Sequence, residues 1–265
     1  MTELERYVAA WRGTADELTV LLGTLAEADW AKPTDCPGWS VADVVAHLAA
    51  LETELATGIG PRTIAPLEGR ELGASWTEAG VAERRGRTPE SLLEELRHGI
   101  AARAEQLAAD PPTNPLARAP HTPAGLPWDN RTLLRNRVVD MWVHEQDIRR
   151  AIGQPGGMDS LAARLVADVF QAAWPFILAK KVGAPAGTTL ALTVAGTRAD
   201  YVVGADGRGA VAEVPVADPT VALSMTREAL TVLGAGRRTP AQVAVDIGGD
   251  PDLAARLLAA AAITP

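Results

Sequence analysis

The apolar positions of the first half recur at helical spacing. Over residues 3–27, Leu4, Val8, Trp11, Leu18, Leu21, Leu22 and Leu25 fall mostly three or four apart, the mark of one buried helix face. Pro33, Pro37 and Gly38 then break regular structure. Ser40 has the form of a helix N-cap, with Asp43 three residues on in the place a capping box gives to Glu or Gln. Val41, Val44, Val45, Leu48, Leu51 and Leu55 predict the helix that follows. Ile59 to Gly73 reads as loop, 74–85 as a weaker helix, and 89–108 as a stronger one carrying Leu92, Leu93, Leu96, Ile100 and Leu107. Prolines from Pro111 to Pro127 mark a long connection, a length that is usually functional or mobile. A further helix runs from Thr132 to Ile152 and stops at Gly153, with Pro155 beyond it.

After Gly153–Gly157 the pattern changes. Residues 158–182 read as helix, interrupted near Trp174-Pro175. Thr188–Val194, Tyr201–Val203, Ala210–Val216, Val221–Met225 and Val243–Ile247 then read as strands, with helices over 226–234 and 250–260. The Gly-rich run Gly204 to Gly209 lies between two of these strands and predicts a hairpin turn. Strands following a helix suggest an α+β domain with helices on one face of an antiparallel sheet. The Gly/Pro-rich junction divides the chain into a helical domain, 1–154, and an α+β domain, 155–265.

Composition narrows the classes. At 265 residues, 47% hydrophobic and 22% charged, the chain is an ordinary globular protein with room for one or two cores. A formal net charge of −8 argues against nucleic-acid backbones and against anionic membranes as partners. Glu3, Glu5, Arg6 and Arg12 interrupt the first residues, so no signal-peptide core is expected, and no apolar run approaches the ~20 residues of a membrane span. Cys36 is the single cysteine and cannot form an internal disulfide. The expectation is a cytoplasmic protein.

Candidate chemistry centres on three residues. Asp140 and His144 lie four apart within a helix and so share a face, where a carboxylate and an imidazole can chelate one ion. A surface hydrogen bond between them is the alternative. His47 sits beside an apolar helix face, where a satisfied core histidine is the bland reading. A helical bundle can nevertheless bring it opposite the Asp140/His144 helix. Three protein ligands leave coordination positions open, the catalytic arrangement of zinc, whereas one cysteine excludes the closed Cys-rich type. The string His144-Glu145-Gln146-Asp147-Ile148 lacks the second histidine of the HExxH zinc-protease helix, because Ile148 stands in its place. Cys36 reads as a small hydrophobe or a reactive thiol, and Arg84 and Arg85 as solvated surface or anion-binding groups. Asp147 and Arg149 read as helix-surface ion pairs or as groups that orient a ligand or bind substrate. No Walker loop, Rossmann fingerprint, GxSxG elbow or EF-hand loop is present.

Three motifs carry a resemblance. Asp29-Trp30-x-x-Pro33-Thr34-x-Cys36-Pro37-Gly38-Trp39-x-Val41-x-Asp43-Val44-Val45-x-His47-Leu48 resembles the start of the mycothiol-dependent maleylpyruvate isomerase family of actinobacteria. Arg137-Val138-Val139-Asp140-x-Trp142-Val143-His144-x-x-Asp147-Ile148-Arg149 resembles a second segment of it, and Gly249 to Pro265 the ending of its larger, mostly uncharacterised branch. The resemblance implies a DinB-like four-helix bundle followed by a small α+β domain similar to sterol-carrier folds. It implies a divalent metal, zinc, on His47, Asp140 and His144, with mycothiol as thiol cofactor. The isomerase carries glutamate where this chain has the shorter Asp140. Arg84 or Arg85 is the counterpart the resemblance offers for the family's catalytic arginine. The implied function is a metal-dependent isomerase or S-transferase acting on a small electrophilic substrate with a low-molecular-weight thiol. The alternative is a non-enzymatic protein that binds a small apolar ligand or a metal.

Overall fold

The computed structural model describes residues 1–60 and 72–264, and the loop expected over Ile59–Gly73 lies largely outside them. The chain divides into two compact units, Met1–Ala162 and Ala163–Pro265.

The first unit is helical. Its elements are α1 (Glu3–Leu22), α2 (Val41–Thr57), α3 (Leu72–Ala82), α4 (Pro89–Ala109) and α5 (Asn130–Ile152). Ser40 and Asp43 cap α2 reciprocally: the Asp43 amide donates to Ser40 Oγ at 3.2 Å, and the Ser40 amide donates to Asp43 Oδ2 at 3.0 Å. Helix α5 starts behind Asp129 and ends at Gly153, whose φ of 70° is the left-handed stop that glycine adopts without strain. Helix α2 packs chiefly on α4 and α1 on α5. Trp11, Leu18, Leu22, Leu48, Leu55, Leu92, Leu96, Met141, Trp142 and Ile148 are fully buried. Each such side chain contributes about 1.5–3 kcal/mol relative to exposure, which is why the apolar stripes decide the packing.

Gly99 brings α4 close to the part of α2 that follows His47. A Cβ on Gly99 would stand 3.0 Å from Glu52 Cβ and 3.0 Å from the Thr53 nitrogen. The Pro-rich connection is fastened to the bundle. The Ala119 amide donates to the Trp128 carbonyl at 3.1 Å and the Asn130 amide to the Ala117 carbonyl at 2.9 Å. Ala119 is buried in a cluster with Leu51, Leu55, Trp76 and Leu133.

Helix α6 (Leu161–Ala172) leads into the second unit. A short helix α7 (Trp174–Phe176) and a π turn (Ile177–Lys181) follow the interruption at Ala173, where Pro175 withholds an amide donor. Leu161–Lys181 has the length and mean hydropathy, 1.4, of a membrane span, but half of its apolar window is buried inside the protein, as in a core helix. Then come β1 (Thr189–Val194), β2 (Thr197–Val203), β3 (Gly209–Val211), β4 (Val221–Met225), α8 (Arg227–Gly234), β5 (Asp246–Gly249) and α9 (Pro251–Ala259). The strand order is β3-β2-β1-β4-β5.

The sheet is mixed, which corrects the antiparallel expectation. Strands β1 and β4 run parallel, with Leu190 opposite Val221 and Leu192 opposite Leu223. Strands β1, β2 and β3 form a meander, after which the chain crosses over 212–220 and enters beside β1 in the same direction. Strand β3 is shorter than expected and ends at Val211 ahead of Pro215, which has no amide to give a ladder. Strand β5 begins later than expected because Pro240–Gln242 forms a 3-10 turn first. The Gly-rich run does form the β2–β3 turn, closed by the Gly204 amide donating to the Arg208 carbonyl at 2.8 Å. Leu190, Leu192, Val194, Tyr201, Val203, Val221, Leu223 and Met225 alternate into the core of this unit.

Candidate metal centre

Helix α2 presents His47, and α5 presents Asp140 and His144 from one face. His47 Nε2 lies 3.1 Å from Asp140 Oδ1 and 3.2 Å from Oδ2. His144 Nε2 lies 3.6 Å from the same Oδ1. The two imidazoles meet edge to face, with ring centroids 4.9 Å apart. One donor atom from each residue falls within 4.8 Å of the others. Tetrahedral zinc with bonds of ~2.0–2.2 Å separates its donors by about 3.3–3.6 Å. The His144–Asp140 spacing matches this, and the His47–Asp140 contact, at hydrogen-bond distance, would have to open by a few tenths of an ångström around an ion. Both histidine side chains are buried, while that of Asp140 is 27% exposed, so the centre is open to solvent on the carboxylate's side.

The surroundings bear on the state of each donor: His47 Nε2 donates to the Asp140 carboxylate here and would give up that proton to bind an ion. His144 Nδ1 lies 3.0 Å from Asp147 Oδ2. A carboxylate only accepts, so Nδ1 carries a proton, and Nε2, which faces Asp140, is the nitrogen that can bind an ion. Asp147 is fully buried and also accepts from Arg150, whose Nε donates to Asp35 Oδ2 at 2.8 Å. Asp35 belongs to the turn that carries Trp39, and the Trp39 ring packs on both imidazoles, at centroid distances of 5.3 Å to His47 and 5.9 Å to His144. Arg137 Nη1 donates to Asp140 Oδ2 at 3.0 Å, and its Nη2 donates to the buried Glu52 Oε1 at 2.8 Å.

These neighbours act on protonation as a metal site requires. Burial pushes the Asp140 carboxyl up, but the charge of His47 when it is protonated, together with the Arg137 guanidinium, outweighs it and holds the group well below the usual carboxylate range. Burial dominates at His47 and lowers its pKa, with Asp140 opposing. An anionic carboxylate and neutral imidazoles are the forms that bind a cation. The donor set therefore fits a divalent metal, and three protein ligands leave coordination positions open.

The other sequence candidates fall elsewhere. Arg84 donates to Glu95 through Nη2 at 2.6 Å and to the Gly80 carbonyl through Nη1 at 2.9 Å. Arg85 pairs with Asp43 at 3.1 Å and Glu78 at 2.8 Å, and its side chain is 48% exposed. Among the described residues, neither arginine bonds to His47, Asp140 or His144. Arg149 pairs with Glu145 at 2.7 Å, His121 lies against the Leu55 carbonyl, and His98 is exposed. Cys36 is half-buried. Sequence reasoning gave no role to Trp39, Arg137 or Glu52. Two signals were there to read. Glu52 is an acid beside Leu51 in an apolar helix, and Arg137 stands one helical turn before Asp140.

Two imidazoles and a carboxylate between the helices of one unit, with an α+β unit following in the chain, define a class of helical proteins whose bundle can hold a metal. The chain belongs to the mycothiol maleylpyruvate isomerase family: the profile of the mycothiol maleylpyruvate isomerase N-terminal domain matches residues 11–149. Its fold is similar to crystal structures of the mycothiol-dependent maleylpyruvate isomerase, with a TM-score of 0.61, and of a histidine-to-alanine mutant of it, with 0.62. Each likeness covers 94% of this chain and 93% of the other at 16% sequence identity, a level that establishes the fold alone. Two curated relatives are the uncharacterised proteins Rv0036c and MT0041 of Mycobacterium tuberculosis (strains H37Rv and CDC 1551), each 27% identical over 150 residues. That stretch is 56% of this chain and 56% of each relative, so the match spans about half the length of the curated relatives.

Proposed function

We propose that the chain is a metal-dependent enzyme that uses a low-molecular-weight thiol, mycothiol, as an isomerase or S-transferase acting on a small electrophilic substrate. The observation that carries this reading is the convergence of His47 Nε2, His144 Nε2 and Asp140 Oδ1 on one point that is open on its Asp140 side. Bound there, a divalent metal, zinc by its donor set, supplies positive charge that favours thiolate over thiol.

The chain's own residues supply the rest. Asp147 holds the His144 ring in its ligating tautomer, and Trp39 covers both imidazoles with an apolar face. Arg85 has the exposure to leave Asp43 and Glu78 for a substrate carboxylate, since partly exposed ion pairs cost little to exchange. Arg84, half-buried on Glu95, is the less mobile of the two. In isomerisation a C–S bond forms at the electrophilic carbon, the former double bond rotates, and C–S cleavage restores the double bond and the free thiol. In transfer the C–S bond is kept and a proton is added to the adjacent carbon.

The test mixes zinc-loaded protein with mycothiol and a panel of α,β-unsaturated carboxylates that includes maleylpyruvate. Isomer ratios are followed by NMR and thiol conjugates by mass spectrometry. Thiol-dependent conversion that disappears in His47→Ala is the expected result. Conversion that needs no thiol, or that survives His47→Ala intact, would sink the reading.

A further inference from the structure

We infer that Glu52 and Arg137 form a buried positioning pair that fixes Asp140 as a one-oxygen ligand of the metal centre, an inference that rests on the metal reading above. His47 Nε2 lies about equally near both Asp140 oxygens, 3.1 Å from Oδ1 and 3.2 Å from Oδ2, and the two oxygens differ in their other neighbours. Oδ1 is the atom near both imidazoles, 3.1 Å from His47 Nε2 and 3.6 Å from His144 Nε2. Oδ2 accepts from Arg137 Nη1 at 3.0 Å. The guanidinium engages one lone pair of Oδ2 and turns the carboxylate so that Oδ1 is the oxygen more freely offered to an ion.

Arg137 is itself immobilised. Its side chain is 3% exposed, and its Nη2 and Nε donate to Glu52 Oε1 at 2.8 and 3.3 Å. Trp11 Nε1 donates to the same oxygen at 3.0 Å, which ties the pair to α1. Glu52 is completely buried on α2, the helix that carries His47, so α1, α2 and α5 are linked through one carboxylate.

The pair also answers an electrostatic problem. A bare arginine 3.0 Å from a ligand oxygen would repel the incoming cation and weaken the oxygen as a donor. Glu52 offsets the charge of Arg137, and the buried Arg103 of α4 is a second cation that interacts with both. Glu52 and Arg137 act through Asp140. The long planar fork of arginine is what spans Glu52 and Asp140 at once, and lysine, with a single nitrogen, cannot bridge them in the same way.

The experiment uses the full chain as wild type, Arg137→Lys, Glu52→Gln and the double variant Glu52→Gln/Arg137→Gln, which removes both charges of the pair. Leu92→Ala, a core change in α4, is the control for plain loss of stability. Thermal unfolding establishes which variants fold, and the double variant answers for Glu52→Gln if an unpaired buried arginine unfolds that protein. Zinc affinity is measured by competition with a chromophoric chelator, and coordination by the visible spectrum of the cobalt-substituted protein. Folded network variants are expected to bind zinc at least ~10-fold more weakly. Their cobalt bands should be fainter, as a released Asp140 binds through both oxygens and raises the coordination number. Leu92→Ala should lower the melting temperature and leave affinity and spectrum in place. Wild-type affinity and an unchanged cobalt spectrum in a folded network variant would overturn the inference while leaving the proposed function standing. Failure of the wild type to bind zinc or cobalt would overturn both.

Discussion

Asp147 and His144, three residues apart on α5, are joined by a 3.0 Å hydrogen bond from the imidazole Nδ1 to a fully buried carboxylate. This contact makes His144 more than a residue at chelating distance from Asp140, because it fixes which ring nitrogen bears the proton. Partners of this kind are typically worth 10–100-fold in metal affinity. Asp147→Asn keeps the shape and removes the charge. Zinc affinity of this variant, measured by chelator competition, is expected to fall roughly tenfold or more. Unchanged affinity would show that the contact serves folding alone.

Arg85 makes a separable prediction. Its partners Asp43 and Glu78 lie outside the ligand set, so Arg85→Ala should leave metal content at the wild-type level. If Arg85 holds a substrate carboxylate, KM for acidic substrates rises by about tenfold, the cost of losing one charge-assisted contact. A neutral ester of the same substrate should show no such change. Steady-state kinetics on the acid and the ester read the difference.

Glu54 gives the pH dependence of stability. The side chain is 7% exposed, and burial raises its pKa from 4.5 to about 7, against a backbone hydrogen bond from Ala124 that lowers it. The folded state therefore holds this proton more tightly than the unfolded chain. The stabilisation is complete below about pH 4.5 and is lost as pH rises through about 7. Glu54→Gln removes the loss. Relative to wild type, its melting temperature should rise on going from pH 5 to pH 8, with a gain of up to ~3 kcal/mol. Parallel melting curves for the two proteins across that range would contradict the assignment.

Gly99 tests the approach of α4 to α2. In Gly99→Val the branched side chain meets Glu52 Cβ and the Thr53 nitrogen, each 3.0 Å from the first added carbon. Overpacking of this kind costs about 1–3 kcal/mol, to be read by denaturant unfolding. Because Glu52 lies at the contact, zinc affinity should weaken as well.

The sequence shows the ligands more readily than their support. Four-residue spacing puts Asp140 and His144 on one face whatever surrounds them, and Ser40 with Asp43 announces the start of the helix that carries His47. The Glu52–Arg137 contact spans 85 residues and depends on how two helices are registered, which no local period encodes. The same limit explains the sheet. Alternating apolar residues predict β1 and β4, but the parallel pairing of Leu190 with Val221 depends on where the crossing chain returns. Asp147 was ambiguous by sequence between a surface ion pair and a ligand-orienting group; its complete burial against His144 rules out the surface placement.

The most direct test of the central claim is elemental analysis of the purified chain, comparing wild type with His47→Ala and with Asp140→Ala/His144→Ala. About one equivalent of zinc or a similar divalent metal per wild-type chain, absent from both variants, is the predicted result. A wild-type chain that carries no metal and takes up none on titration, or variants that retain it in full, would contradict the account.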